Sequence, residues 1–196
     1  MRAIFLDRDG VICENRIDHV KNWQEFEFLP GVKESLARLS RLDFSIIVIT
    51  NQAAIGRRLM TTEALEDIHQ RMVAEITAND GRIDRIIYCP HRPEDECDCR
   101  KPKPGMLLQA AAEMNLDLTD CYLIGDAATD IQAGQQVGCH NILVLTGRGK
   151  EQLLATLHPP GGHFVTIAST LAEATNYILK AELRVSDEQF LRMSCL

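Results

Sequence analysis

The stretch Ile4-Phe5-Leu6-Asp7-Arg8-Asp9-Gly10-Val11-Ile12 decides the architecture. An apolar run delivers two aspartates, one residue apart, to its carboxyl end, and Gly10 lets the chain turn at once. Side chains alternate along a strand, so Asp7 and Asp9 can lean the same way at the exit. Two carboxylates held that close repel unless a cation or a proton lies between them. Taken alone, the pattern also describes an ordinary strand end with an Asp-rich turn, so its meaning depends on the other strands.

Those strands repeat the arrangement. Phe44-Ser45-Ile46-Ile47-Val48-Ile49 is nearly all apolar, the mark of a strand buried on both faces of a parallel sheet, and it ends on Thr50-Asn51-Gln52. Residues 83–88 read as a third strand running into Cys89-Pro90-His91. Tyr122-Leu123-Ile124-Gly125 is a fourth, ending on Asp126, and residues 141–145 and 163–166 make a fifth and a short sixth. Between them lie helical patterns. Val32, Leu36, Leu39 and Leu42 recur after Gly31 at three- and four-residue spacing. Thr61 or Thr62 caps a helix lined by Leu65, Ile68, Met72, Val73 and Ile76. Further helices are expected over 104–114, 128–137 and 169–182, with a surface excursion at 150–163 around Pro159-Pro160-Gly161-Gly162. This alternation predicts an α/β protein with a doubly wound, mainly parallel sheet and a ligand crevice beyond the strands' carboxyl ends. Residues 1–182 are expected to form one domain, with no insertion long enough to fold as a cap. Residues 183–196 form a tail whose Phe190, Leu191, Met193 and Leu196 pack back on the body or meet a partner.

Composition narrows the function. A chain of 196 residues with net charge −7 and no basic run is a poor general binder of nucleic acid, although a local Lys/Arg cluster can still hold a small anion. No apolar run reaches membrane-spanning length and the first residues already read as a strand, so neither a membrane partner nor a signal peptide is expected, and the location expected is cytoplasmic. A monomer is expected. Seven cysteines, three of them within eleven residues, read as metal ligation in a reducing compartment.

Strand ends thus carry Asp7 and Asp9, Thr50 and Asn51, Arg100 and Lys101, then Asp126 and Asp130. In a doubly wound sheet they converge. Two of the acids can share a hard cation such as Mg²⁺, with Lys101 and Thr50 left for the other oxygens of a tetrahedral anion. Any one of these residues is an ordinary cap or surface charge, but together they are not readily explained that way. Cys89, His91, Cys97 and Cys99 follow Cys-x-His-x5-Cys-x-Cys, a closed set of four soft ligands for structural Zn²⁺. The competing readings are free thiols or a redox pair at Cys97 and Cys99. The loop runs directly into Arg100-Lys101, so a bound metal would fix the backbone that carries those cations.

In order, Asp7-Arg8-Asp9-Gly10, Thr50-Asn51, Lys101 and Gly125-Asp126-x3-Asp130 resemble the four motifs of the haloacid dehalogenase-like (HAD-like) phosphatases, over about residues 3–147. The resemblance implies a Rossmann-like core and catalytic roles for Asp7, Asp9, Thr50 and Lys101. Asp7 would be the nucleophile that forms a phosphoaspartate, and Asp9 the general acid and then base. It also implies Mg²⁺ held by Asp7, the Asp9 carbonyl and Asp126, with Asp130 orienting Lys101 or a metal-bound water. Ala53-Ala54 and Ala127-Ala128 depart from residues that some relatives carry. The zinc loop running into Arg100-Lys101-Pro102-Lys103-Pro104-Gly105-Met106, with Thr146-Gly147, resembles the heptose bisphosphate phosphatases; histidinol-phosphate phosphatase is the near relative. The implied substrate is a small phosphorylated sugar met by Asn51, Arg100, Lys101 and His19, the last standing where a tyrosine is expected. Arg57 and Arg58 are further candidates for the distal phosphate, and Glu14 and Asp18 for sugar hydroxyls. Two alternatives remain open: histidinol phosphate as the substrate, or a catalytically quiet binding protein on the same fold.

Overall fold

The computed structural model describes residues 1–157 and 165–193. In chain order it has β1 (Ala3–Leu6), α1 (Val32–Leu39), β2 (Ser45–Asn51), α2 (Ala53–Gly56), α3 (Thr62–Thr77) and β3 (Arg85–Cys89). Then follow α4 (Gly105–Met114), β4 (Tyr122–Gly125), α5 (Ala128–Gln136), β5 (His140–Val144), α6 (Gly149–Leu157), β6 (Val165–Ala168) and α7 (Leu171–Met193). The strands form one sheet in the order β3-β2-β1-β4-β5-β6, every pairing parallel. Successive strands run outward from β1 in one direction and from β4 in the other, so the topological switch, where such sheets open a crevice, lies between β1 and β4.

Both faces are covered because both carry apolar side chains. Ile4 and Leu6 of β1, with Ile46 and Val48 of β2, pack beneath Val32 and Leu36 of α1, Leu65, Ile68 and Met72 of α3, and Leu171, Ala174 and Ile178 of α7. The alternate residues Ala3, Phe5, Ile47, Ile49 and Leu123 pack against Met106, Leu107 and Ala110 of α4 and Ala133 of α5. Each buried Val, Leu, Ile, Phe or Met among them contributes about 1.5–3 kcal/mol, so the strands' apolar runs dominate stability. Register aligns the exits: Leu6 pairs with both Val48 and Ile124, and the Asp7 N–H donates to the Ile124 carbonyl at 3.0 Å.

Two segments differ from the sequence reading. Ala53–Gly56 forms a single helical turn straight after β2, and Gly149–Leu157, expected as part of an excursion, is helix α6. The Pro159-Pro160-Gly161-Gly162 run and His163-Phe164 lie outside the described residues, as do residues 194–196. Helix α7 runs without a break across position 182, and the side chains of Phe190, Leu191 and Met193 are outside the description. Among the described residues no inserted segment builds a cap domain, and no helix is long and apolar enough to cross a membrane.

Candidate active site

Asp7 leaves β1 buried, and two donors hold its Oδ1: the Arg8 N–H at 2.7 Å and the Lys101 ammonium at 3.0 Å. Its Oδ2 has no partner among the described residues. Lys101, only 3 % exposed, also donates to the Ile49 carbonyl at 2.9 Å and reaches Asp130 Oδ1 at 2.6 Å. All three ammonium protons are therefore committed, and what Lys101 offers a ligand is its charge. Asp130 uses its other oxygen to cap α5, accepting the Ala127 N–H at 3.0 Å.

Asp126 exits β4 wholly buried next to Asp7 and Asp130; one carboxylate oxygen from each of the three lies within 4.8 Å of the others. The loop after β5 braces Asp126. The Arg148 N–H donates to Asp126 Oδ2 at 2.8 Å, and the Thr146 hydroxyl donates to the Gly10 carbonyl at 2.6 Å. Gly10 and Gly147 both have positive φ, and a Cβ on either would stand 2.1 or 2.3 Å from that same Oδ2. Asp126 Oδ1, by contrast, is buried with no partner. Burial, followed by the opposing pull of Lys101 and repulsion from Asp130, Asp126 and Asp9, pushes Asp7 up to about 7. Burial and then the Asp130 charge push Asp126 up to about 6. Three carboxylates face one buried ammonium, with the half-exposed Arg148 guanidinium 3.8 Å from Asp126 Oδ2, and a buried oxygen lacks a donor. That donor set fits a hard divalent cation. The Asp9 main-chain carbonyl accepts no hydrogen bond among the described residues and is open to the same use.

Asp9 turns its carboxylate elsewhere. Both of its oxygens lie 2.9 Å from Arg8 Nη2, and Oδ2 accepts from Gln52 Nε2 at 2.9 Å. Burial alone would raise its pKa, but the Arg8 charge and these bonds bring it below the usual carboxylate value. Gln52 also donates to the buried Thr50 hydroxyl at 2.8 Å. The sequence pattern assigns Arg8 and Gln52 no role; the available signal is an arginine set between the two aspartates of the strand exit.

Cys89 ends β3, in register beside Asn51 of β2. Its Sγ lies 3.5 Å from Cys97 Sγ and 3.7 Å from His91 Nδ1, while Cys99 Sγ lies 3.4 Å from Cys97 Sγ and 3.3 Å from His91 Nδ1. A regular tetrahedron with Zn–S bonds of about 2.3 Å has S···S edges of about 3.8 Å, so the four donors are spaced as that ion requires. Burial pushes the Cys89 thiol up to about 12; deprotonating it calls for a compensating cation. The loop is tied to the crevice through Asn51, whose amide donates to the Lys101 carbonyl and accepts the Lys101 N–H, both at 3.1 Å. The Asn51 side chain, expected to meet substrate, is thus engaged with the backbone of Lys101. Arg100 donates to the His91 carbonyl at 3.1 Å and is half-buried. His19 has φ of +65° and is half-buried, with a pKa lowered first by burial and then by the Arg57 charge. Asp18 is bound up in exposed pairs with Arg16 and Lys21.

A doubly wound parallel sheet with carboxylates at the exits of β1 and β4, and a lysine between them, defines the class: a HAD-like hydrolase. A family model described as HAD-hydrolase-like matches residues 98–174. The D-glycero-beta-D-manno-heptose-1,7-bisphosphate 7-phosphatase of Neisseria meningitidis is 37% identical over 180 residues, 92% of this chain and 96% of that protein. The protein of the same name from Pseudomonas aeruginosa is 37% identical over 90% of this chain and 97% of its own. Among solved structures, the D,D-heptose 1,7-bisphosphate phosphatase of B. bronchiseptica, complexed with magnesium and phosphate, superposes with a TM-score of 0.87 at 36% identity, covering 92% of this chain and 99% of that one. The chain belongs to the heptose bisphosphate phosphatase family of HAD-like hydrolases.

Proposed function

We propose that this protein is a Mg²⁺-dependent phosphatase that removes the 7-phosphate of D-glycero-β-D-manno-heptose 1,7-bisphosphate through a phosphoaspartate on Asp7. The observation that carries the reading is the state of Asp7: one oxygen is fixed by Arg8 N–H and Lys101 and the other is free, in a carboxylate clustered with Asp126, whose Oδ1 is itself unpartnered. Holding one oxygen orients the other toward phosphorus, and splitting the displacement in two lowers each barrier. Asp7, the Asp9 carbonyl and Asp126 would hold Mg²⁺, which when bound offsets repulsion between a carboxylate and a phosphate.

Lys101 favours the ionised form of Asp7 against the effect of burial and is itself aligned by Asp130. Asp9 protonates the leaving sugar oxygen and then takes a proton from the attacking water. Arg8 and Gln52 hold Asp9 as the anion that the second step needs. An incoming phosphate dianion raises its proton affinity for the first. Arg100, fixed by the metal loop, is placed to clamp the distal phosphate, since guanidinium suits a bidentate grip. Cys89, His91, Cys97 and Cys99 would hold structural Zn²⁺.

Side-by-side kinetics on the heptose bisphosphate and on histidinol phosphate, with Mg²⁺ present, test the assignment. The expected result is a kcat/KM for the sugar at least about 10²-fold higher, since a missing distal phosphate leaves charged groups unpaired. A preference for the amino alcohol overturns the substrate. Failure to hydrolyse any phosphomonoester in a broad panel would make the protein a quiet binder on this fold.

A further inference from the structure

We propose that His69 is a positioning residue for the phosphoryl chemistry, acting through Arg8 to fix the carboxylate of Asp9; this rests on the reading of Asp9 as the proton donor to the leaving group. His69 lies on the apolar stripe of α3, four residues after Leu65 and three before Met72, and is buried. A polar ring in such a stripe needs a partner. Its Nε2 lies 3.4 Å from Arg8 Nη1. Guanidinium only donates, so Nε2 accepts and the ring is neutral with its proton on Nδ1. Burial, then the Arg8 charge, hold the His69 pKa down to about 3, consistent with that tautomer. The groups facing it are Arg8, Asp9 and the Tyr88 ring, whose centre is 6.0 Å away.

Arg8 is 1 % exposed, and its guanidinium has few anchors. Nη2 serves both oxygens of Asp9, Nη1 meets His69, and Nε has no partner. Without the imidazole, two of the three nitrogens would be buried and unsatisfied, and the guanidinium would be held from one side only. Asp9 would then lose the rigid side of its cradle and keep only Gln52 on Oδ2 and the weak Cys13 thiol 3.6 Å from Oδ1. The chain His69–Arg8–Asp9–Gln52–Thr50 runs without a gap from α3 to the end of β2, so α3 reaches the crevice although none of its residues lies at a strand end.

The test uses leaving-group dependence. A sugar alkoxide needs a proton on departure and nitrophenolate does not, so displacing the acid slows the two esters unequally. Both rates are read in a single turnover, which reports the first displacement without the Asp9-assisted hydrolysis common to the two esters. His69→Leu is expected to lower the rate about tenfold on the heptose bisphosphate, part of the 10²–10⁴-fold that a positioned acid supplies. On p-nitrophenyl phosphate the single-turnover loss should be no more than about twofold, with the half-saturating substrate and Mg²⁺ concentrations unchanged on both. His69→Gln, which keeps an acceptor for Arg8, should restore the single-turnover rate to near wild type. If His69→Leu does not fold, His69→Asn, too short to reach Arg8, takes its place. Equal losses on the two esters, a Gln variant as slow as the apolar one, or no loss at all would overturn the proposal while leaving the phosphatase reading intact. A wild-type protein that cleaves neither ester defeats both.

Discussion

The strand-end crevice and the cysteine loop are both suited to a cation, yet they are built in opposite ways. The crevice draws Asp7, Lys101 and the Asp126–Asp130 pair from three separate parts of the chain, buries them, and locks most of their oxygens and protons with direct bonds. What it leaves over among the described residues is two unpartnered carboxylate oxygens, Asp7 Oδ2 and the buried Asp126 Oδ1. The loop takes four donors from eleven consecutive residues, with His91 exposed and Cys97 and Cys99 half-exposed. Cys89 is buried in the core against α4, and Cys97 and Cys99 pack on the same core, so the loop is anchored at its thiols. The crevice is thus organised by the sheet, whereas the loop gathers its four donors within one short segment. In the first, removing a group should damage chemistry or leave a buried charge uncompensated; in the second, it should loosen the loop and act on the crevice only at a distance.

The largest effect is expected from Asp7→Asn, which keeps the shape and removes the nucleophile: turnover should fall about 10⁴-fold or more at unchanged fold, measured by phosphate release. Turnover near wild type would end the assignment of Asp7. Next comes Lys101→Met. With Asp7 and Asp130 left buried without their cation, unfolding by urea should show a loss of about 3–5 kcal/mol, far more than the loss of an exposed lysine gives. A loss under about 1 kcal/mol would mean that the crevice is not organised by that charge.

Cys97→Ser probes the other region. Metal affinity should drop by at least the roughly 10–100-fold seen on losing an outer-sphere partner, and KM should rise more than kcat falls, because Arg100 and Lys101 hang from the loop. Unchanged zinc content by elemental analysis would remove Cys97 from the ligand set.

The smallest effect concerns pH. Asp7 near 7 and Asp126 near 6 both lie above their unfolded value of 3.8, so without metal the folded state binds protons more tightly than the unfolded state. Their contribution to stability is therefore present at pH 4 and is lost as pH rises through 6 and 7. A bound divalent cation removes that penalty. The rise in Tm on adding Mg²⁺ should accordingly be larger at pH 8 than at pH 5.5, by the equivalent of about 1–2 kcal/mol, and absent in Asp126→Asn. A Mg²⁺ increment independent of pH would contradict the crowded-carboxylate picture.

Much of the molecule was legible beforehand, for identifiable reasons. The central strands announced themselves as short apolar runs because both faces of a parallel sheet are buried, α1 and α3 by their three- and four-residue spacing, and α3 also by its Thr cap. Helix α2 did not, since one turn has no period to detect. Helix α6 was masked by the Pro-Pro-Gly-Gly run that follows it. In the crevice, Asp7, Lys101, Asp126 and Asp130 were visible as polar residues at strand ends, but Arg8, Gln52, His69 and Arg148 were not. Their parts depend on which atom meets which, and neither spacing nor composition encodes that.

What the linear chain determined by itself was everything local: the strand exits on Asp7 and Asp126, the stripe that makes α3 a buried helix, and the four soft donors packed between Cys89 and Cys99. What only the tertiary structure decided was the division of labour among like residues. Asp7, Asp9, Asp126 and Asp130 are chemically the same side chain, and the fold makes one half-free, one clamped by arginine, one orphaned at Oδ1 and one committed to a lysine and a helix cap. The reason is that a carboxylate's behaviour in the interior is set by the donors within about 3 Å of it. In this protein the local donors Arg8 and Ala127 are joined by Lys101, Gln52 and Arg148 from distant segments that only the fold brings together.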